Sequence, residues 1–352
     1  MKENSLISKK WYCNRTVYIF LLLILILIIL FLGDIFLGSV RISFQEVVKA
    51  LFTDSSGRAE SIIIKFRVPK ALTALMVGVA LAVSGLQMQT VFRNPMAGPY
   101  VLGISSGASL GVAFVILGFS SGISLQTIST LGNWILVTAA WAGAGLVILL
   151  VMLLSARVRD VMTILIIGIM LSSGISAVVT IMQYFSNESM LKAYVIWTMG
   201  SLGNLTSDQL NVLLISVMAG LAVSFFSIKI LNALQIGERY AGSIGLNVKI
   251  ARLIVFASTS ILAGSVTAFC GPIGFVGIAV PHIARLLFRK SDHKILIPAT
   301  VLTGGTVLLL SDIISQLPGS DTTLPVNAVT SLIGIPVVIW VIMRKRKYSE
   351  LF

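Results

Sequence analysis

Residues 71–91 read ALTALMVGVALAVSGLQMQTV. The stretch carries no charge. As a helix rising about 1.5 Å per residue it is long enough to cross a ~30 Å hydrocarbon core. Gly78 and Gly85 share it, and small residues let helices approach closely in lipid. Plain helix packing accounts for them.

Stretches of the same kind lie on both sides. With the first, they occupy 17–37, 71–91, 101–119, 133–154, 162–184, 209–228, 253–270, 274–288, 295–313 and 326–343. The third and eighth are short and rich in glycine. The expected fold is all-α: a polytopic membrane protein of about ten transmembrane helices, forming one domain over residues 1–352. Gly107 and Gly111 form a small-xxx-small pair, and Gly271, Gly274 and Gly277 are expected to stack three apart. The run from Val17 is long for a signal-peptide core and no small-x-small cleavage site follows, so it is expected to be a retained span.

Composition agrees. Of 352 residues, 57% are hydrophobic and 11% charged, against about 25% charged in soluble proteins. The mean hydropathy is +0.99. The net charge of +13 is not a nucleic-acid footprint, because no basic run is interleaved with aromatics. It follows instead from Lys and Arg gathering in cytoplasmic loops. With the N-terminus inside, inner segments hold 19 of the 26 basic residues, ending in Arg344, Lys345, Arg346 and Lys347. The outer seven are Arg41, Lys49, Arg58, Lys65, Arg67, Lys70 and Lys192. An even number of spans puts both termini in the cytoplasm.

Two connecting segments are unusual. The outer one, from about Gly38 to Phe66, is long and mixed in charge. The inner one, Lys229 to Arg252, breaks its short apolar repeats at Gly237, Gly242 and Gly245. It reads as two short amphipathic helices on the membrane surface, turned near Gly245, or else as a solvated loop. The helical reading suits docking of a cytoplasmic partner.

Chemistry is sparse. Asp34 and Asp312 lie near outer span ends, and no acidic residue falls in the middle of a span. Ion-coupled carriers usually keep carboxylates or histidines within the membrane. Backbone carbonyls can bind sodium, so a secondary carrier stays open as a rival. His282, beside Pro281, lacks a nucleophile or acid nearby and reads as structural rather than as a base. There is no HExxH or GxSxG, and a membrane enzyme lacks clustered polar residues. Cys13 and Cys270 have neither disulfide nor metal spacing, so no metal site and no cofactor is expected. No Gly-Lys pair occurs, so the chain has no P-loop, and any ATPase must be another polypeptide.

Longer motifs are specific. Arg67, Pro69 and Lys70 precede Gly78, Ser84-Gly85, Gln89 and Arg93-Asn94-Pro95-Met96-Ala97. Leu102-Gly103, Ser105 and Gly107-Ala108 follow, then Trp197 with Gly200-Ser201-Leu202. Gly274-Phe275-Val276-Gly277, Pro281-His282 and Arg285 lead into Asp292-His293-Lys294 and Pro298. Leu324-Pro325-Val326, Gly334 and Pro336 open the last span. Over about residues 60–343 this order resembles the FecCD family, permeases of ABC importers for ferric siderophores, haem and cobalamin.

The resemblance implies ten spans and alternating access in a bacterial cytoplasmic membrane. Its partners would be a second permease subunit, identical or paralogous, and two ATP-binding subunits at the cytoplasmic face. An extracytoplasmic substrate-binding (lipo)protein would dock outside. The cargo it implies first is a ferric siderophore, with haem and cobalamin as alternatives. By the same resemblance, Arg67 and Lys70 pair with carboxylates of the binding protein. Gly237, Glu238, Arg239 and Gly245 belong to the ATPase coupling segment. Asn94 and Met96 match one cytoplasmic gate element, and Val161, Met162 and Thr163 align loosely with the other. Asn94 also suits a plain helix cap.

The chain departs from the family pattern at the outer face. Lys70 replaces the usual Arg, keeping charge without bidentate geometry. A third docking Arg appears as Gln316, a Glu as Thr323 and a Gly as Asn327. A paired, non-identical permease subunit could supply the missing bridge.

Overall fold

The computed structural model describes residues 2–38, 42–52, 58–118, 134–158, 160–316 and 323–343. Arg41, Arg159 and the basic tail 344–347, all part of the charge count, lie outside these residues.

Among the described residues all regular structure is helical. The chain runs through α1 (Lys2–Phe36), α2 (Phe44–Phe52), α3 (Arg58–Ile62), a π turn (Ile63–Arg67) and α4 (Val68–Val91). A 3-10 turn (Pro99–Leu102) leads to α5 (Ile104–Ile116), followed by α6 (Trp134–Arg157), α7 (Val161–Tyr184), α8 (Glu188–Thr198) and α9 (Ser207–Phe226). Next come α10 (Ile228–Ile236), α11 (Glu238–Ser243), α12 (Val248–Cys270), α13 (Val276–Phe288), α14 (His293–Ser315) and α15 (Val326–Met343). Seven of these helices are long and apolar enough to cross a membrane; α5, α13 and α15 are shorter apolar helices. Together they fill the ten expected positions.

Helix α4 is the axis of the molecule. It packs on α14, α12, α13 and α9, and 89% of its most apolar window is buried. Two glycines make this possible. A Cβ on Gly78 would sit 2.3 Å from the Gly304 carbonyl oxygen, and one on Gly85 1.8 Å from that of Gly277. The α5–α6 contact is built alike: a Cβ on Gly107 would lie 2.5 Å from the Gly143 oxygen and one on Gly111 2.0 Å from that of Ala139. Close backbone approach replaces the hydrophobic driving force that lipid does not supply.

A polar cluster locks the axis. Gln87 Nε2 donates to Ser224 Oγ (2.8 Å) and Ser258 Oγ (2.9 Å), and Thr259 Oγ1 donates to Gln87 Oε1 (2.8 Å). All four side chains are fully buried, so α4, α9 and α12 satisfy one another's polar groups.

Two local expectations are corrected. Gly271, Gly274 and Gly277 do not stack on one helix. Gly271 caps α12 at φ +74°, Gly274 lies in the connection, and only Gly277 is helical. The inner segment does form two short helices, but they part at Gly237 (φ +144°); Gly245 (φ +87°) ends the second. Such backbone is open to glycine at no steric cost. Helix α8 and the outer helices α2 and α3 lie where only loops are expected.

Candidate functional site

At the outer end Arg67, Lys70 and Gln316 each bond within the chain. Arg67 Nη1 donates to the carbonyls of Ile35 (2.8 Å) and Phe36 (3.0 Å), capping the C-terminus of α1. Lys70 Nζ lies 3.0 Å from Asp312 Oδ1. Gln316 Nε2 donates to Asp34 Oδ1 (2.7 Å) and Asp312 Oδ2 (3.2 Å). Asp34, Asp312, Arg67 and Gln316 are all buried, whereas the Lys70 side chain stays 22% exposed. Lys70 also lines an outer cavity of about 370 Å³ with Lys65, Phe66, Leu202, Asn204 and Thr206. Two acids near span ends must find partners when buried, and Gln316 stands one helical turn after Asp312. That spacing is the sequence signal for this cluster.

At the inner end α13 holds the turn that follows α4. Asn94 Oδ1 accepts the Met96 N–H (2.9 Å), an Asx turn rather than a helix cap. His282 Nε2 donates to the Pro95 carbonyl (2.8 Å) and the ring is buried, which gives this histidine a structural role. Arg285 Nη1 donates to Gln89 Oε1 (2.5 Å), and Gln89 Nε2 to the Ile278 carbonyl (3.1 Å).

The start of α7 is capped by Asp160, whose Oδ2 accepts both the Thr163 hydroxyl and the Thr163 N–H at 2.9 Å. These bonds, the hydroxyl foremost, hold the carboxyl below the ordinary 3.8. Val161 is buried and Met162 is exposed.

The segment between α9 and α12 is tied to the start of α12, and through it to the residues before α7, and to the start of α14. Glu238 and Arg252 form a two-pronged ion pair: Arg252 Nε donates to Glu238 Oε1 at 2.7 Å, and Nη2 meets Oε2. Arg252 Nη1 also reaches the Val158 carbonyl (3.5 Å), just before α7. Asn232, on α10, donates to Asp292 Oδ1 (2.8 Å), which caps α14 by accepting the Lys294 N–H (2.9 Å). That backbone bond is the main reason the Asp292 carboxyl lies below 3.8. The far side of the segment presents Ile236, Tyr240, Ile244 and Arg239 to solvent. The sequence does not single out Asn232 or the contact of Arg252 with Val158, whose partners lie 60 and 94 residues away.

Between α5 and α7 an open groove of about 660 Å³ is lined by Tyr100, Ser105, Ser106, Ser172, Ser173 and Ser176, with Val101 and Ile169. Among the described residues no group of three or more His, Cys, Asp or Glu side chains could hold a metal ion.

A glycine-packed set of apolar helices, with a surface segment hydrogen-bonded to the span ends behind it, defines a polytopic helical membrane protein. Residues 24–344 match the model of the FecCD transport family, and the chain belongs to that family. It is 35% identical over 291 residues to the vitamin B12 import system permease protein BtuC of Escherichia coli O9:H4 (strain HS), covering 82% of this chain and 86% of that protein. The Klebsiella pneumoniae protein of the same name is 36% identical over 292 residues, covering 83% and 85%. A solved metal-chelate type ABC transporter in an inward-facing conformation superposes with a TM-score of 0.79 at 29% identity, covering 94% of this chain and 99% of that one. PsaBC from Streptococcus pneumoniae shares the fold, with a TM-score of 0.53 at 14% identity, covering 80% and 92%. The chain is an ABC importer permease subunit, a component of transport rather than a catalyst.

Proposed function

We propose that this subunit passes a ferric siderophore across the bacterial cytoplasmic membrane by alternating access, powered by separate ATP-binding subunits. The observation that carries the transport reading is the pairing of the hydroxyl-lined groove between α5 and α7 with the tethered segment Ile228–Ser243. Ser172 and Ser173 donate to the carbonyls of Gly168 and Ile169, so in the groove they offer oxygen lone pairs, and the serines together suit a cargo with a polar rim. The similarity to a metal-chelate transporter supports a chelate as cargo. Cobalamin is the second reading, favoured by the names of the permeases in Escherichia coli and Klebsiella pneumoniae.

In this reading a second permease subunit, identical or paralogous, faces the groove. Two ATP-binding subunits sit below Ile236, Tyr240 and Ile244, around Gly237, Glu238, Arg239 and Gly245. The Asn94–Met96 turn and the Val161–Thr163 helix start open and close the inner end of the path. A substrate-binding lipoprotein docks outside over Lys70. Arg67 and Gln316 act from behind by fixing the rim, since both spend their hydrogen bonds within the chain.

Uptake in a deletion strain decides the cargo. Loss of labelled ferric siderophore accumulation, restored by this chain, is the expected result. Loss of cobalamin uptake with iron uptake intact would replace the siderophore reading by the second one.

A further inference from the structure

The ATPase-facing segment and the turn after α4 are joined by three buried or half-buried side chains. Asn232 Oδ1 accepts two bonds from His293, one from its backbone N–H (2.9 Å) and one from Nδ1 (2.7 Å). A backbone N–H can only donate, so the Asn232 atom facing it is the oxygen, and His293 carries a proton on Nδ1. In the neutral ring Nε2 is then an acceptor. It lies 2.9 Å from Thr90 Oγ1, in the last turn of α4. The Thr90 carbonyl in turn accepts the Arg93 N–H (3.3 Å), and Asn94 N–H bonds back to Gln89 (3.2 Å). The path from α10 to the Asn94–Met96 turn is thus continuous.

Thr90 has one hydroxyl proton and two acceptors within reach, His293 Nε2 and the Leu86 carbonyl (2.8 Å). Leu86 O already takes the helical N–H one turn on. His293 is 1% exposed, and Nε2 would be left buried and unpaired without the hydroxyl. The proton therefore goes to His293 at rest, and rotation to Leu86 breaks the connection at the cost of leaving the buried Nε2 unpaired. A hydroxyl with two discrete settings is the kind of two-state element through which one site biases another.

We infer that Asn232, His293 and Thr90 are positioning residues that carry movement of α10 to the turn at the inner end of the path. The inference rests on the importer reading above. The test uses the whole importer, with its ATPase and binding protein, in proteoliposomes. Thr90→Val keeps the shape and removes the hydroxyl. It should leave the ATPase bound and hydrolysis within about twofold, while cargo moved per ATP falls about tenfold. Thr90→Ser should restore coupling to within about twofold. Asn232→Ala, at the other end of the linkage, should repeat the loss and decides the matter if Thr90→Val does not assemble. Unchanged transport per ATP in the assembled variants overturns the proposal. So does failure of serine to rescue, or a loss that tracks with loss of the bound ATPase. No ATP-dependent uptake by the wild-type assembly would instead refute the importer reading itself.

Discussion

Helices α4 and α7 have the same length, 24 residues, and opposite surroundings. The most apolar window of α4 is 89% buried and that of α7 17%. Yet α4 is the more polar of the two. It carries Ser84, Gln87, Gln89 and Thr90 inside the protein, while α7 exposes Ile166, Met170 and Ile181. In a bilayer the solvent is hydrocarbon, so apolar side chains need no shelter. Polar and small residues are the ones that require a protein partner. Within this subunit the most hydrophobic helices therefore mark the surface, toward lipid or a second subunit, and the moderately polar ones mark the centre.

That contrast can be broken first at Gly85. Its Cβ would overlap the Gly277 backbone, which is not the flexible end of a side chain. Gly85→Ala should cost about 3 kcal/mol, or the folded protein altogether, in unfolding assays in detergent. A stable, monodisperse variant would contradict the packing of α4 on α13. Next comes Gln87→Leu, which strands the hydroxyl of Thr259 and removes the donor to Ser224 and Ser258, which keep their own bonds to the Gly220 carbonyl. A loss of about 1.5 kcal/mol is expected, near the upper end for hydrogen bonds between membrane helices. A neutral result would mean that the Thr259 hydroxyl finds another acceptor. The smallest effect belongs to α7. Gly174 has no heavy atom within 4 Å of a built Cβ, and Gly174→Ala should move stability by less than about 0.5 kcal/mol. A large loss of transport with unchanged stability would then place Gly174 against a partner subunit.

The spans and the Gly107–Gly111 contact were legible because both follow from local pattern: an uncharged length and a four-residue spacing. The second polar residue of each pair was not. Asn232 meets His293, 61 residues on, through the fold, and Arg252 meets Glu238 across the turn of the inner segment, at a spacing too long for contact along a single helix. The glycines at 271, 274 and 277 show the reverse failure. Their spacing mimics a helix face, but a positive φ at Gly271 ends the helix there. At the outer face, the resemblance marks Arg67 for a docking partner and Gln316 as a departure from the family's third docking Arg. In this chain Arg67 bonds to the end of α1 and Gln316 to two buried acids. Such internal partners cannot be read from a motif, which locates a residue without saying what its side chain touches.

The central claim is that this subunit is the membrane half of an importer driven from its cytoplasmic segment. Accumulation of labelled cargo in proteoliposomes holding the full assembly tests it most directly. The account predicts uptake that requires ATP and the binding protein and survives collapse of proton and sodium gradients. Uptake driven by an ion gradient with ATP absent would contradict it.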